Sequence, residues 1–283
     1  MKNFAIIGIA GFVAKKHLNC IKKLNGNLVA AFDIHDNVGF IDNYYPKTKF
    51  FKNEKEFFLF LNKKKVDYLV VCSPTYLHYR HIIKGLESKV NIIVEKPPIL
   101  KKNNLKQIYF LEKKFNKKCY CIFQLRVNKK IIGLKKKIEK QKKNFFNVEI
   151  FYNTFRGNWY FKSWKNDNKL SGGLAVNIGI HFFDILLWFF GSIKKFHLKK
   201  NTKLESIGEI YFNNAKAKWF LSTNKISNKS YKNSFDRYLK LDGKKYNFDK
   251  FNDLHLTNYK EIIKGNFHIS EFEKIIKFLS LLK

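Results

Sequence analysis

The sequence predicts a two-domain α/β chain. A doubly wound parallel sheet is expected over residues 1–124, followed by an α+β domain over 125–283 with a large, mostly antiparallel sheet. Three observations predict this. Short, continuously apolar runs alternate with helix-like stretches through the first 124 residues, as parallel strands covered on both faces require. Beyond that point the pattern changes to long strand-like segments interrupted by one strong helix. The 283 residues, 45% hydrophobic and 17% aromatic, are enough to build a sizeable core in each half.

Each element follows in order. Phe4–Ile9 reads as the first strand. The opening MKNFAIIGIAG has no small-residue cleavage site, and no apolar run approaches the ~20 residues of a membrane span, so a cytoplasmic protein is expected. A helix from about Val13 to Leu24 follows, then a second strand at Leu28–Phe32 closed by Asp33. The third strand is Asp67–Cys72, the fourth Asn91–Val94 and the fifth Cys119–Phe123, with helices around 54–62, 78–88 and 104–115 between them. In the second half Phe145–Phe155 and Leu204–Leu221 read as long strands, and Arg237–Phe248 as a hairpin about Asp242-Gly243. One helix is expected from Gly172 to Phe190, stopped by Gly191, and another closes the chain from Ile262 to Leu282. No repeat or Pro/Ser-rich linker divides the halves.

Composition excludes some functions. The 56 Lys+Arg against 22 Asp+Glu give a net charge of +34, but only Arg80, Arg126, Arg156 and Arg237 are arginines. Nucleic-acid readers rely on the bidentate Arg fork, so a lysine excess scattered among Asn, Ile and Phe reads as a solvated surface without a specific nucleic-acid partner. Cys20, Cys72, Cys119 and Cys121 form no Cys-x-x-Cys pair, and no histidines have zinc spacing; buried thiols in a reducing compartment and no metal are expected.

The turn Gly8-Ile9-Ala10-Gly11-Phe12-Val13-Ala14 joins the first strand to the first helix. In that context backbone N–H groups and the helix start can approach a pyrophosphate, although Ala10 stands where the second glycine of G-x-G-x-x-G would be. Asp33, 25 residues after Gly8, ends the second strand where a carboxylate accepts both ribose hydroxyls and repels a 2′-phosphate. Together they point to NAD bound by a Rossmann-type domain.

Two further segments sit at carboxyl ends of strands, where open parallel sheets bind ligands: Cys72-Ser73-Pro74-Thr75 with His78, and Glu95-Lys96-Pro97. With Gly172-Gly173 and Gly179-Ile180-His181-Phe182-Phe183-Asp184, and with the phosphate loop, they occur in an order that resembles the Gfo/Idh/MocA family of sugar oxidoreductases. Gln124-Leu125-Arg126, the segment Arg156 to Lys165, Asn177 to His181 and Asp253-Leu254-His255 look like the branch that oxidises UDP-N-acetyl-D-glucosaminuronate at C3.

The residues themselves carry a chemistry. Withdrawing hydride from a sugar carbon also releases the hydroxyl proton, so the site needs a base and a polarising cation. His181, with an ordinary pKa near 6.5, can take a proton at neutral pH, and Lys96 can steady the developing alkoxide. These two are the expected catalytic pair. Asn177, His181, Asp184 and Trp188 share one face of a helix, where Asn177 would position substrate and Asp184 orient the imidazole.

The resemblance further implies cofactor contacts from Gly8, Ala10, Gly11, Phe12, Val13, Asp33, Ser73, Thr75, His78, Glu95, Lys96, Gln124, Trp164 and Lys165. It implies substrate contacts from Lys96, Arg126, Arg156, Tyr160, Lys165, Asn177 and His181. The two scarce arginines would meet a carboxylate or a diphosphate. It also implies a UDP-sugar substrate on a route to surface polysaccharide, 2-oxoglutarate as re-oxidant and a homo-oligomer; the lack of a long apolar run leaves no membrane partner expected. Another sugar or cyclitol, a non-catalytic NAD-binding regulator and a basic nucleic-acid-binding protein are the alternatives.

Overall fold

A computed structural model describes all residues except 142, 225–234, 248–253 and 283. Phe248 of the expected hairpin and Asp253 of the D-L-H segment therefore lie outside the described residues. The chain divides into two units, Met1–Phe123 with His255–Glu271, and Gln124–Leu254 with Phe272–Lys283.

The first unit is built on a parallel sheet of β1 (Asn3–Ile7), β2 (Asn27–Phe32), β3 (Lys49–Phe51), β4 (Tyr68–Val71), β5 (Asn91–Val94) and β6 (Cys119–Cys121), in the order β3-β2-β1-β4-β5-β6. Helices α1 (Ala14–Lys23), α2 (Glu54–Lys63), α3 (Thr75–Glu87) and α4 (Asn104–Phe115) connect the strands. Ile6, Ile7, Leu69, Val70, Val71, Ile92, Ile93 and Val94 are wholly buried, which is why these strands read as unbroken apolar runs. Six strands stand where five were expected. The extra one, β3, has three residues and only Phe51 buried, too little pattern to register in sequence.

The C-terminal tail departs from the single helix expected over Ile262–Leu282. Helix α10 (Leu254–Ile263) stops before Gly265, which sits at φ +95°. The following stretch lies along β6: Cys121 N donates to Phe267 O at 2.9 Å and Tyr120 bridges His268. His268 Nε2 also lies 2.8 Å from the buried Glu112 carboxylate of α4. Edge strand β6 is thereby covered.

The second unit contains a sheet ordered β12-β11-β7-β10-β9-β8, from β7 (Phe146–Thr154), β8 (Lys195–Asn201), β9 (Glu205–Tyr211), β10 (Ala215–Ser222), β11 (Phe235–Leu241) and β12 (Lys244–Asn247). All pairs are antiparallel except β7 with β10. The run Leu204–Leu221 is a hairpin, not one strand. Asp242 (φ +48°) and Gly243 (φ +81°) make the expected turn between β11 and β12. Strand β8 escaped the sequence reading because its side chains are mostly exposed and lysine-rich, with no apolar face to alternate.

The helices of this unit are α5 (Lys129–Lys140), α6 (Asn158–Phe161), α7 (Asn168–Ser171), α8 (Gly173–Asn177), α9 (Ile180–Phe190) and α11 (Glu273–Leu281). The expected helix Gly172–Phe190 is thus broken, with α7–α8 and α9 meeting at 52°. Gly179 stands at the break, where a Cβ would come 2.5 Å from Ala175 O and 2.6 Å from the Phe183 ring. Helix α9 is the buried centre of this unit: the Phe183 ring lies 5.3 Å from both Trp219 of β10 and Phe278 of α11. Among the described residues no single helix is long and apolar enough to cross a membrane.

Candidate active site

In the first unit the turn after β1 has the shape a pyrophosphate requires. Gly8 sits at φ +84°, and a Cβ there would lie 2.4 Å from Ser73 N; one on Gly11 would lie 3.0 Å from Gly8 O. No side chain caps α1 and no acid occupies its first turn, so its N-terminal dipole faces the loop unopposed. Asp33, 8% exposed, accepts Ala10 N at 2.9 Å and His35 N at 3.0 Å, one donor on each oxygen. The acid therefore braces the loop and keeps lone pairs for a ribose diol. Phe12 projects into solvent from the loop. Gly8→Ala puts an L side chain into both a left-handed backbone and a main-chain clash. We expect NAD affinity, read by titration calorimetry, to fall at least about 10-fold, with a stability loss on the order of 1–3 kcal/mol.

Ser73 follows β4 and Thr75 opens α3. Ser73 Oγ lies 2.8 Å from His81 Nδ1, while His81 Nε2 lies 3.0 Å from Glu54 Oε1. Glu54 also accepts from Arg80 and from Lys84. Burial drives the His81 pKa down to about 4, so the ring is neutral near pH 7. Its one proton goes to the carboxylate on Nε2, and Nδ1 accepts the Ser73 hydroxyl proton. Ser73 is thereby oriented by a side chain that sequence reading had not singled out.

His78 was expected to touch the cofactor. Its two nitrogens are instead each 2.8 Å from a main-chain oxygen, Nδ1 from Pro97 and Nε2 from Ser73, and the residue is 1% exposed. Burial lowers its pKa while the two carbonyls oppose that shift; a neutral ring donates to one carbonyl at a time, and only the protonated ring donates to both. His78 is a brace between the ends of β4 and β5, and its polar atoms are committed to protein.

Glu95, likewise expected at the cofactor, turns into the unit. Its Oε1 lies 3.1 Å from His17 Nε2 of α1 and 3.3 Å from His255 Nε2 of α10; its Oε2 accepts Lys96 N at 3.2 Å. His17 Nδ1 lies 2.8 Å from the Tyr259 hydroxyl. Burial alone would raise the Glu95 pKa, but the two imidazoles outweigh it and hold the carboxyl well below its usual range. Neither His17 nor Tyr259 was predicted. Nothing in the spacing of residues 17, 95, 255 and 259 announces that they meet. The donor atoms of His17, Glu95 and His255 lie within 4.8 Å of one another, a grouping whose ligand types suit a metal ion. Their hydrogen bonds also close without one: Tyr259 O–H to Nδ1, and two Nε2–H groups to the carboxylate.

In the second unit four expected substrate residues come together. The Arg156 guanidinium lies 5.8 Å from the Tyr160 ring, and Tyr160 hydrogen-bonds Asn177. Burial, then the nearby Arg156 charge, pushes the Lys165 pKa down, and its ammonium lies 4.9 Å from the Trp159 ring and 5.8 Å from Trp164. Arg156 Nε is buried with no hydrogen-bond partner among the described residues. Two neighbouring cations and an unsatisfied N–H suit an anion.

Arg126 is different. Its Nε and Nη2 donate to the two oxygens of Asp184 at 2.8 and 2.7 Å, and its guanidinium lies 4.5 Å from the Phe272 ring. The expected substrate arginine is a structural ion pair joining the turn after β6 to α9, and Asp184, expected to orient His181, supplies its acid. Arg126→Met leaves a carboxylate that is 1% exposed without its fork. We expect a cost of about 3 kcal/mol, seen as a melting temperature lower by roughly 10 °C. Asn177 ends α8 and His181 lies in α9, so the helix break separates residues expected on one continuous face. Gln124, half-buried, begins the turn that also carries Arg126.

Comparison with known proteins adds to this geometry. A family model described as an oxidoreductase family, NAD-binding Rossmann fold, matches residues 2–123, and its C-terminal alpha/beta domain matches 135–274. The chain is similar to the WlbA (WbpB) dehydrogenase from Thermus thermophilus. It is 35% identical with a TM-score of 0.96 to the complex with NAD and alpha-ketoglutarate, and 34% identical with a TM-score of 0.95 to the complex with NAD and UDP-GlcNAcA. Each likeness covers 100% of this chain and 94% of the other. A putative oxidoreductase, YteT of Bacillus subtilis, is 26% identical over 142 residues, 49% of this chain and 33% of its own length. The chain thus matches about a third of the length of the curated relatives.

Proposed function

The chain belongs to the Gfo/Idh/MocA oxidoreductase family, with an NAD-binding Rossmann domain, and from that premise we propose that it oxidises the C3 hydroxyl of UDP-N-acetyl-D-glucosaminuronate to the 3-keto sugar. NAD, when bound, supplies the hydride acceptor. The protein's part is to hold the hydroxyl, take its proton and neutralise the charge that forms on oxygen. Lys96 steadies the developing alkoxide and His181 takes the proton, the two acting as the catalytic pair. Re-oxidation by 2-oxoglutarate and a product destined for surface polysaccharide complete the reading.

The observation that carries it is the anion cradle of Arg156 and Lys165 beside Tyr160 and Asn177. An acidic nucleotide sugar fits that cradle better than a neutral cyclitol does. The likeness to a dehydrogenase crystallised with UDP-GlcNAcA supports the same substrate class. Mixing purified protein with UDP-N-acetylglucosaminuronate tests it directly: absorbance should rise at 340 nm, and 2-oxoglutarate should discharge it. No rise in protein shown to contain NAD would sink the substrate assignment, and a rise with a neutral sugar alone would move it to another member of the family. Light scattering on the same sample reads the homo-oligomer expected with this function.

Arg156→Met should weaken binding of the acidic nucleotide sugar about 10- to 100-fold, as loss of a charge-assisted contact predicts. Binding of UDP alone separates two ligand parts. Unchanged UDP affinity assigns Arg156 to the sugar carboxylate, and an equal loss assigns it to the diphosphate.

A further inference from the structure

The Lys96 main chain is gripped from both sides by buried side chains. On one side its own N–H meets Glu95 Oε2 at 3.2 Å; on the other the Pro97 carbonyl meets His78 Nδ1 at 2.8 Å. Glu95 is itself fixed, since Oε1 receives His17 and His255 at 3.1 and 3.3 Å. The protons in this cluster can be counted. A carboxylate only accepts, so both Nε2 atoms facing it must carry hydrogen. Burial lowers the His17 pKa and keeps that ring neutral, so its Nδ1 is bare and accepts the Tyr259 hydroxyl proton. The result is a directed chain from Tyr259 through His17 to Glu95 and on to the Lys96 amide, every member 8% exposed or less up to Glu95.

The chain ties separate elements to one point. His17 lies a single turn into α1, the helix that begins at the phosphate loop, while His255 and Tyr259 belong to α10. A cheaper way to fill this space would be an apolar side chain, because burying a carboxylate is costly unless its partners are well placed. What the charged cluster adds over an apolar filling is direction.

We propose that Glu95 is a positioning residue, anchored by His17 and His255, which sets the main chain of Lys96 and fixes it relative to the helix of the phosphate loop. This rests on the reading of Lys96 as the residue that steadies the alkoxide. Its consequence is specific. Loosening the cluster displaces the ammonium without removing it, so turnover falls while ground-state binding of substrate stays. Misplacement by about 1 Å is enough for on the order of a 100-fold effect on rate.

The test compares Glu95→Gln, His17→Leu, His17→Gln and Tyr259→Phe with the parent chain. Glutamine at 95 keeps the volume but turns one acceptor into a donor, which then faces an N–H. Leucine at 17 removes the donor to Glu95, and glutamine at 17 restores an N–H there. Two quantities are read: kcat against KM for the nucleotide sugar, and hydrogen exchange at the Lys96 amide. That amide is well isolated, because Pro97 and Pro98 have none. The expected result is kcat lower by about 10- to 100-fold at nearly constant KM in Glu95→Gln and His17→Leu, together with faster exchange at Lys96. His17→Gln should recover most of both.

Folded variants with parental kcat and parental exchange at Lys96 would overturn the proposal. So would a loss of melting temperature with exchange at Lys96 unmoved. If the leucine variant does not fold, Tyr259→Phe, which deletes one oxygen, carries the same comparison. A parent chain that turns over no nucleotide sugar overturns the reaction instead, and the exchange measurement then decides the positioning alone.

Discussion

Lys96→Met is expected to cut kcat for the nucleotide sugar by at least about 10³-fold while leaving the affinity for NAD within a few-fold. The argument is electrostatic. Withdrawal of the hydroxyl proton leaves electron density on the sugar oxygen, which forms the carbonyl as hydride leaves the carbon, and a neighbouring ammonium is worth most while that density is still on oxygen. Methionine preserves the length and apolar stem of the side chain but carries no charge. Of the contacts expected for the cofactor, those from the Gly8 turn, the Asp33 brace and the α1 terminus lie on residues other than Lys96 and survive its substitution. His181→Ala should lose about 10²- to 10⁴-fold, the usual span for a general base, and the loss should be smallest at high pH, where solvent hydroxide substitutes. Stopped-flow absorbance at 340 nm separates hydride transfer from later re-oxidation. If Lys96→Met retains more than a tenth of the parent rate, its role belongs to another residue, and the Arg156–Lys165 cradle is the next place to look.

The sequence revealed what depends on local pattern. Unbroken apolar runs place five of the six parallel strands, and the Gly8–Asp33 pair pointed to a nucleotide-binding turn because strand, turn and acid lie within one β-α-β unit. Three-residue β3 and lysine-rich β8 were silent, since neither presents an apolar face. Partner choice was the other blind spot. Arg126 was notable for rarity, which pointed to a ligand, but rarity does not say which acid takes the fork, and the fold supplies Asp184. Glu95 stood in a motif whose neighbours suggested cofactor, yet its carboxylate turns to His17, 78 residues earlier, and His255, 160 residues later. Contacts at such separations have no periodic signature. Arg156, Tyr160, Lys165 and Asn177 were named through the family resemblance, and the fold brings the four together.

Acid should begin to destabilise the chain well before its carboxylates reach their ordinary range. Burial lowers the pKa of His17 and takes His81 from 6.5 to about 4, while Glu95 is held well below 4.5. A histidine whose folded pKa is depressed binds fewer protons in the native state than in the unfolded chain. Its contribution is therefore complete above pH 6.5 and is lost as pH falls, until the folded ring also protonates. For His81, which is 2% exposed, that window runs from 6.5 down to about 4. At about 1.4 kcal/mol per pH unit, the loss is roughly 2 kcal/mol by pH 5 and about 3 kcal/mol across the window. His17 acts with the same sign, and a depressed carboxylate such as Glu95 extends the loss to lower pH, because its stabilisation disappears as pH falls through its own folded pKa. Urea denaturation between pH 7 and 5, followed by far-ultraviolet dichroism, should show stability falling throughout. In His81→Asn, which keeps polar atoms near Ser73 and Glu54 but cannot titrate, the slope between pH 6 and 5 should be shallower by about one proton. An unchanged slope would mean that His81 is already protonated in the folded chain. The Ser73 hydroxyl would then have to accept from Nδ1, so the direction of that hydrogen bond is settled by the same experiment.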